Sequence, residues 1–193
     1  MRIFLDVGAW KGDTAKSVLS SKHQFDIIYC FEPQVSLCLK VGDNVVVLEY
    51  GLWNKTCDTE IYYDSTKPQN NDGSSVYIDK FVVSKSDTKV KMVRATDWFK
   101  KNLSILDYVV MKLNCEGAEC DIIEDLIDSG EFSKVSALMA DFDVRKVPSQ
   151  KHREAEIKQL LRSYPIPTHF VGYKDQWRLK GKDMTHYWMD KIL

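Results

Sequence analysis

Five short apolar runs, each closed by a turn signal, set the architecture of this chain. They cover residues 2–7, 25–31, 45–49, 106–113 and 135–140. Each is too short and too uniformly apolar for an amphipathic helix, and reads as a strand buried on both faces. Helical spacing follows most of them. Ala15, Val18 and Leu19 recur after Gly12; Val35, Leu37, Leu39 and Val41 follow Pro33 less regularly. Ala118, Ile122, Ile123, Leu126 and Ile127 share one face, with Gly130 as the C-terminal cap. A short helix begins at Thr96, and Ile157, Leu160, Leu161 and Tyr164 mark another. Strands alternating with helices predict a doubly wound α/β fold with a mostly parallel sheet. The remaining stretches interrupt that rhythm. Residues 58–64, 76–83 and 89–94 read as strands of a β-hairpin insertion after the third core strand. The polar stretch 65–75 has the composition of a mobile loop able to close over a substrate. Residues 168–173 and 184–189 read as a final antiparallel pair.

A length of 193 residues suits one domain, 1–193. Charged residues make up 28% and the net charge is −1, so no basic field argues for a nucleic-acid partner. The basic segment 145–153 reads as a solvated face. No apolar run approaches the ~20 residues of a membrane span, and the first residues read as a strand rather than a signal peptide. The five cysteines are odd in number and form no Cys-x-x-Cys pair. That usage predicts a reducing, cytoplasmic setting without structural zinc. Elements that select a substrate are expected in 58–94 and 145–193.

The chemistry concentrates at strand ends. After the first strand, Asp6-Val7-Gly8-Ala9-Trp10-Lys11-Gly12 opens a turn into a helix. A dinucleotide fingerprint would need Gly-x-Gly-x-x-Gly, and its second glycine is missing; a P-loop would need Lys-Ser/Thr after Gly12, where Asp13 stands. The spacing that remains resembles the first motif of S-adenosyl-L-methionine (SAM) methyltransferases. That cofactor carries no phosphate, so it needs room at the turn and an acid near its ammonium group. Glu32 ends the second strand about 20 residues on, where a carboxylate can accept both ribose hydroxyls. The loop after the third strand places Gly51 and Leu52 beside a base, with Trp53 able to stack on it. The fourth strand delivers Lys112, Asn114, Glu116 and Glu119 to its end, and a lysine on so apolar a strand requires a partner. Glu119 also suits a helix N-terminus. Asp141 and Asp143 end the fifth strand; with no histidine beside them they make a weak metal site. His152, His169 and His186 are scattered and read as packing or surface residues.

Three ordered signals resemble the FkbM-type methyltransferases: Leu5-Asp6-Val7-Gly8-Ala9 with Gly12-Asp13, Phe31-Glu32-Pro33, and Val110-Met111-Lys112-Leu113-Asn114-Cys115-Glu116-Gly117-Ala118-Glu119. Asn54-Lys55 and Gly73-Ser74-Ser75 have family-like neighbours. The resemblance spans residues 3–143. It implies a Rossmann-like, seven-stranded class I SAM methyltransferase fold with an antiparallel last strand. It implies O-methylation of a hydroxyl on a sugar or other small natural-product-like acceptor, hence a small-molecule or glycan partner. Asp6, Gly8, Ala9, Trp10, Gly12, Glu32, Gly51, Leu52 and Asn114 would contact the cofactor; Lys112, Glu116 and Glu119 would form the catalytic side, with Glu116 the first candidate base. Trp10 stands where the family has asparagine, and Asn114 where it has aspartate. Asparagine cannot take a proton, so the same residues also allow a SAM-binding sensor or scaffold without catalysis. A nicotinamide oxidoreductase is disfavoured by the missing second glycine.

Overall fold

The computed structural model describes residues 1–34, 42–63, 73–81, 83–172 and 182–193. Its centre is a six-stranded sheet built from β1 (Arg2–Val7), β2 (Ile27–Phe31), β3 (Val45–Leu48), β7 (Tyr108–Leu113), β8 (Val135–Ala140) and β9 (Thr168–Phe170), in the order β3-β2-β1-β7-β8-β9. Every neighbouring pair in it is parallel. The strands that read as continuous apolar runs are those covered on both faces. Side chains alternate across β1. Ile3, Leu5 and Val7 enter a core shared with α2 (Ala95–Asn102), α3 (Glu119–Asp128) and α4 (Arg153–Leu161). Phe4 points the other way, into a core shared with α1 (Asp13–Leu19) and α5 (Lys182–Ile192).

A second sheet has the order β4-β6-β5, from β4 (Gly51–Trp53), β5 (Cys57–Tyr63) and β6 (Ser84–Arg94). β5 and β6 are antiparallel, and β4 joins β6 in parallel. Gly51 to Trp53, expected as a loop, is therefore a strand. The run expected as a strand at 76–83 forms turns in its described residues. Side chains anchor it in place of a ladder: Ser75 Oγ donates to Glu116 O at 2.7 Å, and Tyr77 N donates to Ser75 Oγ.

The expected final antiparallel pair is corrected. β9 is parallel to β8, and residues 184–189 lie within helix α5. Met184, Trp188, Met189 and Ile192 fall on one helical face and pack against the sheet, where an extended chain would have scattered them. The expected helix at 35–41 and most of the polar stretch 65–75 lie outside the described residues. Among those described, no helix is long and apolar enough to cross a membrane.

Candidate functional site

The chain runs outward from β1 to β2 and β3, then resumes at β7 and runs the opposite way through β8 and β9. The helices that follow β1 and β7 therefore pack on opposite faces of the sheet, α1 on one and α3 on the other, and a crevice opens above that switch point. A cavity of about 350 Å³ occupies it, within the size range of small-ligand sites. β4, β5 and β6 wall one end through Leu52, Ile61 and Met92; α5 walls the other through Met184, Thr185 and Trp188.

The turn after β1 is held by backbone. Gly8 N and Ala9 N both donate to Phe31 O at 3.1 Å, and Gly12 N donates to Ala9 O at 2.8 Å. Gly8 has φ +79°, and a Cβ there would sit 1.8 Å from Asn114 O. Only glycine allows the β1 and β7 turns to approach this closely. Trp10 and Glu116 are the non-glycine residues with positive φ among the described residues, at 50° and 58°, and both line the cavity. Such backbone costs about 1–3 kcal/mol per residue and collects at ligand sites.

Beneath the turn lies a buried ion pair. Asp6 and Lys112 are register partners on β1 and β7, and Lys112 Nζ stands 2.9 Å from Asp6 Oδ1. Lys112 Nζ also donates to Gly8 O at 2.7 Å. Burial raises the Asp6 carboxyl above its ordinary value, with Lys112 opposing. Asp6 is fully buried and does not line the cavity. Its charge is matched by Lys112, so it reaches a ligand only through the position of Gly8. Lys112 reaches the cavity wall while bracing that turn.

Glu32 is aimed differently. Its Oε2 accepts from Trp10 N and its Oε1 from Gln34 N, both at 2.9 Å. Each oxygen keeps a lone pair for a further donor, and the residue lines the cavity. Burial raises this carboxyl as well.

At the end of β7, Glu116 enters the cavity wall. Lys80 Nζ reaches its Oε2 at 2.5 Å, and Lys146 Nζ stands 3.9 Å from the same oxygen. Burial, then Asp143, pushes the Glu116 carboxyl up to about 7. Asp143 is held low: burial opposes, but the Glu116 proton, Lys146 and Arg145 favour its charge. The two acids thus divide their roles: Asp143 keeps its charge, and Glu116 takes up a proton more readily.

Glu119 is set apart from this group. Its two oxygens accept from the backbone N–H groups of Cys115, Gly117 and Val144 at 3.0–3.2 Å, and it does not line the cavity. It holds the β7 turn against the segment after β8, and burial pushes it up to about 8. Gly12 is likewise off the wall, whereas Gly8, Ala9, Trp10, Glu32, Gly51, Leu52 and Asn114 are on it. Trp53 is not a stacking platform: its Nε1 donates to Asp121 Oδ2 at 2.6 Å, and it too lies off the wall. Asp141 and Asp143 pair with Arg145, and Asp143 also with Lys146. No cluster of metal-binding side chains occurs among the described residues.

Lys80 and the α5 residues were not among the expected site residues. Lys80 is a lysine in a segment read as a strand. The α5 signal was available in the i, i+4, i+8 spacing of Met184, Trp188 and Ile192, but β-favouring Thr185, Tyr187 and Trp188 obscured it. No family model, no curated protein and no solved structure matches this chain.

Proposed function

We propose that the chain is a SAM-dependent methyltransferase acting on a hydroxyl of a small-molecule or glycan acceptor, with the six-stranded sheet as a class I methyltransferase core. The observation that carries the proposal is Glu32: a buried carboxylate at the end of β2, fixed by Trp10 N and Gln34 N and facing the switch-point cavity. Its unused lone pairs suit a ribose diol. The turn beside it carries a tryptophan and an apolar wall, which suits an uncharged adenosyl group better than a pyrophosphate. The three motifs that resemble the FkbM-type family fall around this one cavity.

Bound SAM would supply an activated methyl group for in-line displacement by the acceptor oxygen. The chain's own residues then have three tasks. Gly8, braced by Lys112, shapes the turn. Glu32 orients the nucleoside. Glu116 accepts the hydroxyl proton, with Lys80 holding the carboxylate in place; a value near 7 is well suited to proton transfer at neutral pH. Proximity and alignment supply much of the acceleration in such a transfer.

Asn114 favours a second reading, a SAM-binding protein without transferase activity, because the residue at the end of β7 has no basic form. The experiment that separates them is transfer of an isotopically labelled methyl group from SAM to a panel of sugar and polyketide hydroxyls. Label in the acceptor, lost in Glu116→Gln, supports the enzyme. Tight SAM binding with no labelled product across the panel supports the second reading.

A further inference from the structure

Two polar atoms in this cavity wall are buried without a hydrogen-bond partner: Asn114 Oδ1, an acceptor, and Trp188 Nε1, a donor. Trp188 is 1% exposed, and its ring stacks on Phe4 at 6.0 Å between centroids. A buried N–H left unpaired costs about 1–3 kcal/mol, and native proteins seldom tolerate it without a reason. Thr185 precedes Trp188 by three residues on the same helical face and also lines the cavity.

The sheet order fixes where these groups stand relative to Glu32. From the end of β2, where Glu32 sits, to the end of β7, where Asn114 sits, there are two strand steps, and Trp188 reaches across from α5 to stack on Phe4 of the intervening β1. At about 4.8 Å per step, that is ~10 Å. A nucleoside anchored at Glu32 with an amino-acid tail spans such a distance.

Resting on the cofactor reading above, we infer that α5 closes the amino-acid end of the site. Trp188 Nε1–H donates to the α-carboxylate of the bound cofactor, Asn114 Oδ1 accepts from its α-ammonium, and Thr185 flanks the carboxylate. A zwitterion supplies one acceptor and one donor, which is the complement of the two unpaired atoms. On this assignment Asn114 is a ligand-binding residue, and its lack of basicity is no handicap there. A C-terminal helix, in place of a strand pair, thereby selects adenosyl amino acids over simpler nucleosides.

The test compares S-adenosylhomocysteine with 5′-methylthioadenosine, which lacks the amino-acid end, by calorimetry on the wild-type chain and on Trp188→Phe. Phenylalanine keeps an aromatic ring against Phe4 and removes the donor together with part of the indole's volume; the 5′-methylthioadenosine arm controls for the lost packing. The wild-type chain should prefer S-adenosylhomocysteine by tenfold or more. Trp188→Phe should lose about tenfold for that ligand, as expected for a charge-assisted bond, and nothing for 5′-methylthioadenosine. Thr185→Val serves as the second variant and should show the same selective loss, smaller in size. Equal wild-type affinity for the two ligands overturns the inference even if Trp188→Phe does not fold, as does an equal loss for both in the variant. In those cases the cofactor reading stands, because the nucleoside still binds. Binding of neither ligand withdraws both.

Discussion

Replacing Lys112 by methionine separates a bracing role from a reacting one. The side chain is 7% exposed and its partner Asp6 is wholly buried. Methionine fills a similar volume, so packing changes little, but Asp6 loses its counter-ion and Gly8 O loses its donor. Removing one member of a buried pair costs about 3–5 kcal/mol, because the remaining charge has no compensation. For a chain of 193 residues that corresponds to a fall in Tm of the order of 10 °C. The loss should depend on pH. Burial already raises the Asp6 carboxyl, and without Lys112 it rises further. A folded-state value above the unfolded one means the native chain holds a proton that the unfolded chain releases, so stability falls as pH rises through that window. The gap between wild type and Lys112→Met should therefore narrow toward pH 5 and widen toward pH 8. The double variant Asp6→Asn with Lys112→Met, which removes both charges, should recover part of the loss. Urea unfolding at several pH values reads all three, with the midpoint moving and the slope unchanged. A Lys112→Met chain within about 1 kcal/mol of wild type at pH 8 would refute the bracing role, and would return Lys112 to the reacting side.

Other positions give independent checks. Gly8→Ala forces a Cβ onto Asn114 O at positive φ; it should destabilise by more than about 2 kcal/mol and abolish S-adenosylhomocysteine binding, read by thermal melts and calorimetry. Glu116 has its carboxyl raised from 4.5 to about 7, so its contribution to stability is full below the lower value and is lost as pH rises to the upper one. Glu116→Gln should flatten wild-type stability between those values by about 1–3 kcal/mol, measured by urea midpoints across that range. Asp121 accepts from Trp53 Nε1, Tyr77 OH and Arg153, joining the second sheet and the 73–81 segment to α3 and α4. Asp121→Ala should cost about 1–3 kcal/mol by leaving the Trp53 and Tyr77 donors without their acceptor, while Arg153 keeps Glu124, and hydrogen exchange should speed up at Tyr77 and Trp53 together.

The core strands were legible because a strand covered on both faces must be apolar throughout, and 2–7, 106–113 and 135–140 have no other use for that composition. The positions of Glu32 and Glu116 followed from the same logic, since parallel strands deliver side chains at their carboxyl ends. What stayed hidden depends on contacts distant in sequence. Asp6 reads as a ligand to an ammonium group until Lys112 is seen beside it in register. Glu119 reads as a reacting acid until three backbone N–H groups are found on it. Trp53 reads as a stacking platform until Asp121 claims its N–H. Helix α5 misreads as a strand because Thr185, Tyr187 and Trp188 favour extended chain locally, whereas burial of Met184, Met189 and Ile192 on one face favours the helix. In each case the tertiary partner decides, and local pattern does not name it.

The most direct measurement is calorimetric titration of S-adenosylhomocysteine into the wild-type chain and into Glu32→Gln. Glutamine keeps an oxygen for one backbone N–H and loses the carboxylate that faces the cavity. A cofactor whose ribose rests on Glu32 predicts saturable one-site binding to the wild type, weakened tenfold or more in the variant. No binding to the wild type, or equal affinity in the two chains, would contradict the placement of a nucleoside at the end of β2.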